Sequence, residues 1–367
     1  MNYIGSKLSL LEFLEESINK VIDKNCRVFC DLFAGTGIVG SYFKKKGYRV
    51  IANDIQYYSF VLNKQYIENH EQLEFQELAK VLPEMKNIEI DKRKNFVCDY
   101  LSNLKGAKGF IFKNYCLGGT KKQKFQRQYF SDENGKRCDA IRAEIENWKK
   151  EKLINANEYY FLLAALLETI DKHANTASVY GAFLKKLKKT AQKLFVLKPA
   201  ELIINDRKHQ VFNEDINELV SKVKGDILYL DPPYNHRQYA TNYHLLETVA
   251  RYDNPKIHGK TGLREYKSQK SLYCSRAKVK KAFRDLILAA RTKYIFLSYN
   301  NEGLMTLDDI KEIMSLRGKY GYFTKEYNRF KADRDENRDY SANKTIEYLH
   351  YVVCKKIAFG DDFYRQS

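Results

Sequence analysis

Two short runs in the chain combine residue types that could carry out chemistry. Asp231-Pro232-Pro233-Tyr234 follows directly on the apolar run Ile227-Leu228-Tyr229-Leu230. Consecutive prolines fix φ and carry no N–H, so the turn is stiff and its carbonyls are left for an outside partner. A carboxylate beside such a carbonyl makes a paired acceptor for a flat amino group, and Tyr234 adds a stacking face. The exocyclic amine of a nucleobase is a poor nucleophile because its lone pair is delocalised into the ring. Accepting its two hydrogens at Asp231 and at the Pro232 carbonyl draws the nitrogen toward tetrahedral geometry and aims the lone pair at an electrophile, the kind of preorganised polarity that acts where charge develops. The plainer alternative is that Pro-Pro ends a strand and Asp231 caps the next helix.

The second run is Asp31-Leu32-Phe33-Ala34-Gly35-Thr36-Gly37, with Asp54 17 residues after Gly37. Gly35 and Gly37 permit positive φ and close backbone approach, and a carboxylate at Asp54 can take both ribose hydroxyls of an adenosine. Read as ending at Gly37, the motif gives no case for a pyrophosphate.

The elements that must hold these residues follow from periodicity. Arg27 to Phe33 reads as a buried strand, then a glycine turn, then a helix; Arg49 to Asn53 is a second strand ending at Asp54, the βαβ spacing of a nucleotide-type fold. Further strands are expected at 201–204, 226–230, 293–298 and 349–354, with helices at 278–290 and 307–316. Between them the apolar residues of 158–172 nearly circle a helix, predicting burial within a helical insertion. The expected architecture is α/β: a doubly wound, Rossmann-like sheet formed by 1–59 and 199–367, a mostly helical insertion at 60–198, and a basic loop insertion at 254–281.

The order and identity of these motifs resemble the Dam-like (D12 class) DNA adenine-specific methyltransferases, over most of the chain. The resemblance implies S-adenosylmethionine as cofactor, with Tyr3 and Lys7 of Asn2-Tyr3-Ile4-Gly5-Ser6-Lys7 helping to seat it. It also implies a cofactor loop at Asp31, Phe33, Gly35 and Gly37, the ribose carboxylate at Asp54, and an adenine contact at Asp215, which otherwise reads as a solvated loop acid. Catalysis then falls to Asp231, Pro232, Pro233 and Tyr234. The extension Asn235-His236-Arg237-Gln238-Tyr239 and the run Ser298-Tyr299-Asn300 look like a type II restriction–modification subgroup. That implies modification of an adenine in duplex DNA, with a cognate restriction endonuclease acting on the same site as a partner. His236 and Arg237 suit phosphate contacts; Asn300 either orients the extruded base or serves as a turn residue. Direct displacement on a sulfonium requires no metal. The rival readings are methylation of RNA adenine or of the cytosine amino group, and a catalytically silent DNA-binding protein.

The charge fits a polyanionic partner. The chain of 367 residues carries 64 Lys+Arg against 46 Asp+Glu, a net +18, which is an argument about association rather than fold. The stretches 105–128, 185–198 and 256–284 hold a net +22 between them, leaving the rest of the chain at −4. In the first, Lys121, Lys122, Lys124 and Arg127 are the candidates for DNA contact, interleaved with aromatics; the alternative for each stretch is a solvated face. Hydrophobic content of 44 % excludes a disordered basic tail. Seven cysteines without a CxxC pair fit reduced thiols and a cytoplasmic enzyme. An N-terminus with early acids and no long apolar run predicts neither secretion nor a membrane span.

Overall fold

The computed structural model describes residues 3–328 and 344–355. Among the described residues nine strands run in chain order: β1 Val28–Asp31, β2 Arg49–Asn53, β3 Gln210–Phe212, β4 Lys224–Leu230, β5 Ile257–His258, β6 Leu263–Arg264, β7 Arg291–Asn300, β8 Gly318–Asn328 and β9 Lys344–Cys354. Seven of them form one sheet in the order β3-β2-β1-β4-β7-β9-β8, while β5 and β6 make a separate hairpin. The first five in that order are parallel; β9 and β8 close the edge antiparallel. Parallel pairing aligns the carboxyl ends of β1, β2, β3, β4 and β7 along one edge. Strand order reverses between β1 and β4, the switch point at which open α/β sheets hold ligands.

The strands form where β-branched and aromatic residues alternate between two cores. On β4, Ile227 and Tyr229 join Phe29 and Phe296 beneath the helices Leu11–Asn19 and Ile38–Lys45; Leu228 and Leu230 join Ile295 and Leu297 beneath Val279–Ala289 and Leu307–Ser315. The sheet is therefore covered on both faces, as a parallel sheet requires.

Segment 60–198 is mostly helical and centres on the helix Ala156–His173, whose Phe161 to Leu167 are buried all round. A capping box fixes its start: Asn155 accepts from the Glu158 N–H and Glu158 accepts from the Asn155 N–H. The insertion core also takes in Tyr243, Leu245, Leu246 and Val249 of the later helix His244–Arg251 and Tyr58 of Tyr57–Asn63. The core of the 60–198 segment thus draws on one helix beyond its expected boundary and on another that straddles it.

Two sequence expectations fail. No strand forms at 201–204, where Ile204 is 59 % exposed; the strand on the outer side of β2 is the half-buried β3, at three residues too short to stand out by periodicity. Arg127 does not present a charge. It is 5 % exposed, and its guanidinium donates to the carbonyls of Lys260, Gly259 and Asn114 and to Gln123. Together with the Tyr115 hydroxyl, which donates to the Gly262 carbonyl at 2.7 Å, it fastens 105–128 to the β5–β6 hairpin. Two basic stretches about 130 residues apart in sequence are thereby joined.

Candidate active site

Asp31 ends β1, Asp54 follows β2 and Asp231 follows β4, so three carboxylates converge on one cleft at the switch point. The turn after β1 explains how the backbone comes so close. Gly35 has φ +52° and lies so near the Tyr3 ring that an added Cβ would stand 3.1 Å from it; Gly37, at φ +78°, caps the helix Ile38–Lys45. Gly40, which the reading of the motif as two glycines passed over, completes a Gly-x-Gly-x-x-Gly pattern that is visible in the sequence. A Cβ there would meet Ile67 and Val50 at 2.6 and 3.3 Å, so Gly40 sets the packing of helix on strand. Its N–H is already taken by Asp31 Oδ2 at 3.0 Å.

That bond leaves Asp31 Oδ1 buried, on the cleft wall, without a hydrogen-bond partner among the described residues. Burial, then the charges of Asp231 and Asp54, push this carboxyl up to about 8, against the help of the Gly40 N–H. Asp54 accepts from the Gly35 N–H at 2.9 Å and the Gln56 N–H at 2.8 Å, and burial still raises it to about 7. Asp231 is raised to about 6 by burial, with Lys7 opposing and Glu347 adding to the rise. The cleft is arranged to receive positive charge.

Lys7 is placed differently from the other cofactor-binding candidates. It lines the cleft, but its ammonium sits 3.1 Å from Asp231 Oδ1 and 3.0 Å from Glu347 Oε1. Burial would lower its affinity for a proton; the two carboxylates outweigh that and hold it well above the usual lysine range. Tyr3 lines the cleft with its ring 4.7 Å from Tyr243 and its hydroxyl 3.1 Å from that of Tyr58. Phe33 stands edge-on to Tyr273 at 4.9 Å.

Asp215 lines the cleft and also caps the helix Ile216–Leu219 by accepting from the Asn217 N–H at 2.8 Å. Tyr234 is half-buried, edge-on to Tyr299, with its carbonyl fixed by the Leu304 N–H at 3.1 Å. Pro232 is buried beside it and Pro233 faces the cleft. His236, Arg237, Lys121, Lys122 and Lys124 are all exposed. Asn300 is 7 % exposed and accepts from the Glu302 N–H at 3.1 Å, the turn role.

Several contributors gave no sequence signal. The stretch 254–281, read as wholly DNA-facing, supplies Ser271, Leu272 and Tyr273 to the cleft wall. Gln238 holds it there, accepting from the Ser271 N–H at 2.8 Å and donating to its carbonyl at 3.2 Å. Glu347, on the strand next to β7, has no neighbour in sequence that would mark it.

A doubly wound sheet with a ligand cleft at its switch point, a glycine turn after its first strand and an Asp-Pro-Pro-Tyr loop after its fourth marks a Rossmann-like α/β enzyme. Residues 3–313 match the family described as D12 class N6 adenine-specific DNA methyltransferase, and the chain belongs to that family: it is an adenine-specific DNA methyltransferase. It is 52 % identical over 354 residues to the type II methyltransferase M.NlaIII of Neisseria lactamica, covering 96 % of this chain and 99 % of that one. It is 40 % identical to the type II methyltransferase M.FokI of Planomicrobium okeanokoites, covering 96 % of this chain but 52 % of that protein. The modification methylase StsI of Streptococcus sanguinis is 36 % identical over 361 residues, 97 % of this chain and 52 % of that one. These relations disfavour RNA methylation, cytosine methylation and catalytic silence.

Proposed function

We propose that this enzyme is the modification methyltransferase of a type II restriction system, using S-adenosylmethionine to methylate the N6 amine of an adenine extruded from duplex DNA. The observation that carries the reading is that the unpartnered, buried Asp31 Oδ1 and the Asp231 carboxylate stand at the ends of adjacent strands in one cleft. A buried carboxylate oxygen without a donor fits a ligand ammonium, and the Gly35 turn fits the close approach of a nucleoside. When bound, the cofactor supplies an electrophilic methyl group on a sulfonium.

The protein's own part is holding and positioning. Asp31 takes the ammonium, Asp54 the ribose hydroxyls, and Phe33, Asp215 and Tyr3 bound the purine end, on a loop held by Gly37. Asp231, with its carboxyl near 6, is mostly ionised at neutral pH and accepts one amine hydrogen; the Pro232 carbonyl accepts the other. Tyr234 stacks on the base, returning about 1–3 kcal/mol toward an extrusion that costs a few kcal/mol.

Affinity for DNA is assigned to the joined basic surface: Lys121, Lys122 and Lys124 beside the exposed Lys256 and Lys260, with His236 and Arg237 nearer the base. A cognate endonuclease would share the site read by this surface. Among the described residues no helix is long and apolar enough to cross a membrane, and we place the enzyme in the cytoplasm with its DNA.

The test is transfer of labelled methyl groups from S-adenosylmethionine to duplex DNA, single strands and RNA, followed by nucleoside identification. N6-methyladenine in duplex DNA is expected; label in RNA alone would overturn the proposal. Protection of the modified DNA from an endonuclease of the same specificity tests the restriction partner.

A further inference from the structure

Glu347 is fully buried on β9, and its Oε1 both accepts from the Ser298 hydroxyl and pairs with Lys7 at 3.0 Å. Lys7 is 3 % exposed and reaches Asp231 on its other side at 3.1 Å. One cation is thus shared by two buried carboxylates, and the three groups sum to −1. Packing does not call for the second charge: a glutamine would fill the same space and satisfy Ser298. Burying an extra carboxylate is costly unless it is fully bonded, and Glu347 Oε2 has no hydrogen-bond partner among the described residues.

We propose that Glu347 is a positioning residue for methyl transfer, drawing on Lys7 from the far side so that the ammonium does not saturate Asp231 and its carboxylate keeps acceptor capacity for the amine of the target base. With Glu347 neutral, Lys7 and Asp231 collapse into a neutral pair whose carboxylate oxygen is occupied by the ammonium. Lys7 then competes with the base. With Glu347 charged, the ammonium is divided, the site keeps a net negative charge beside a cationic cofactor, and Asp231 Oδ1 stays open to a second donor. This inference rests on the reading of Asp231 as the amine's acceptor.

The other groups facing the triad are Tyr229 from β4, Asp31 from β1, and Tyr234 and Tyr239 from the segment after β4. Lys325, opposite Glu347 on β8, has its ammonium over the Phe13 ring, and Asn300, opposite on β7, is neutral. Asp231 is therefore balanced chiefly between Lys7, which favours its charge, and Glu347, which opposes it.

The experiment is the single-turnover rate of methyl transfer to duplex DNA from pH 5 to 9, for the wild type, E347Q, E347D, K7M and K7M/E347Q. In E347Q the plateau rate is expected to fall at least about tenfold while cofactor and DNA binding change less than about threefold, the pattern of an interaction made in the transition state. Its acid limb should move to lower pH, because the group that raised Asp231 is gone. K7M should move the limb to higher pH, K7M/E347Q back down from K7M, and E347D should keep the wild-type limb. A merely structural role would cost rate and melting temperature without moving the limb, and that outcome, or a wild-type profile in E347Q, overturns the inference. If E347Q does not fold, the limb of K7M/E347Q against K7M decides. D231A separates the two levels: full activity in D231A would remove the amine-acceptor reading itself, whereas an inactive D231A beside an unaltered E347Q removes only the role of Glu347.

Discussion

Asp31→Asn asks how the cleft holds a cationic cofactor. In the wild type Oδ2 is satisfied by the Gly40 N–H at 3.0 Å and Oδ1 is left for the ligand. Asparagine keeps the shape but removes the charge from that second contact. A hydrogen bond to a charged group contributes about 1.5–3 kcal/mol, so cofactor binding should weaken roughly ten- to a hundredfold. The pH dependence is sharper. Because the free carboxyl lies near 8, its ionised fraction rises about tenfold between pH 6 and pH 7. Wild-type affinity should therefore improve about tenfold over that unit, with about one proton released per cofactor bound at pH 7, and this component of the slope should vanish in the variant. Isothermal titration calorimetry in two buffers of different ionisation heat measures both quantities. Equal affinity and equal proton release in the two proteins would refute the assignment of Asp31.

The same substitution predicts a stability change with a definite sign. Between about pH 4, where an unfolded aspartate ionises, and about pH 8, the unfolded chain has lost the Asp31 proton and the folded chain has not, so this group destabilises the fold increasingly as pH rises. Ligand-free D31N should melt above the wild type at pH 8 and lose that advantage toward pH 4, by calorimetry. D231A should lose methyl transfer while keeping DNA affinity, as measured by fluorescence anisotropy. Replacing Lys121, Lys122 and Lys124 together by alanine should reduce the salt-dependence slope of DNA binding by about 2 to 3, from roughly −0.9 per phosphate contact, with the melting temperature unchanged. R127A should do the reverse: truncation leaves the carbonyls of Gly259, Lys260 and Asn114 without their donor, at about 1–3 kcal/mol for each acceptor left buried and unsatisfied, so melting should fall clearly, and DNA binding should weaken because the hairpin is released and not because a phosphate contact is lost.

Features that depend on neighbours along the chain were legible in the amino-acid order alone. The strand before Asp31, the glycine turn, the strand before Asp54 and the stiff Asp-Pro-Pro-Tyr turn are local objects, because φ restriction and alternating burial act over a few residues. They sufficed to identify the sheet and its carboxylates. The tertiary structure alone decided the rest. Whether a basic side chain faces solvent depends on which carbonyls lie across from it, and Arg127 meets three carbonyls, two of them in a hairpin about 130 residues further on. Gln238 draws Ser271 and Tyr273 into the cleft, though composition marked their stretch as DNA-facing. Lys7, read as a cofactor contact, becomes the cation between Asp231 and Glu347 because β9 inserts antiparallel beside β7. Pairing order is a non-local property, so no spacing in the chain could have shown that the Lys7 ammonium comes within about 3 Å of carboxylates at both 231 and 347.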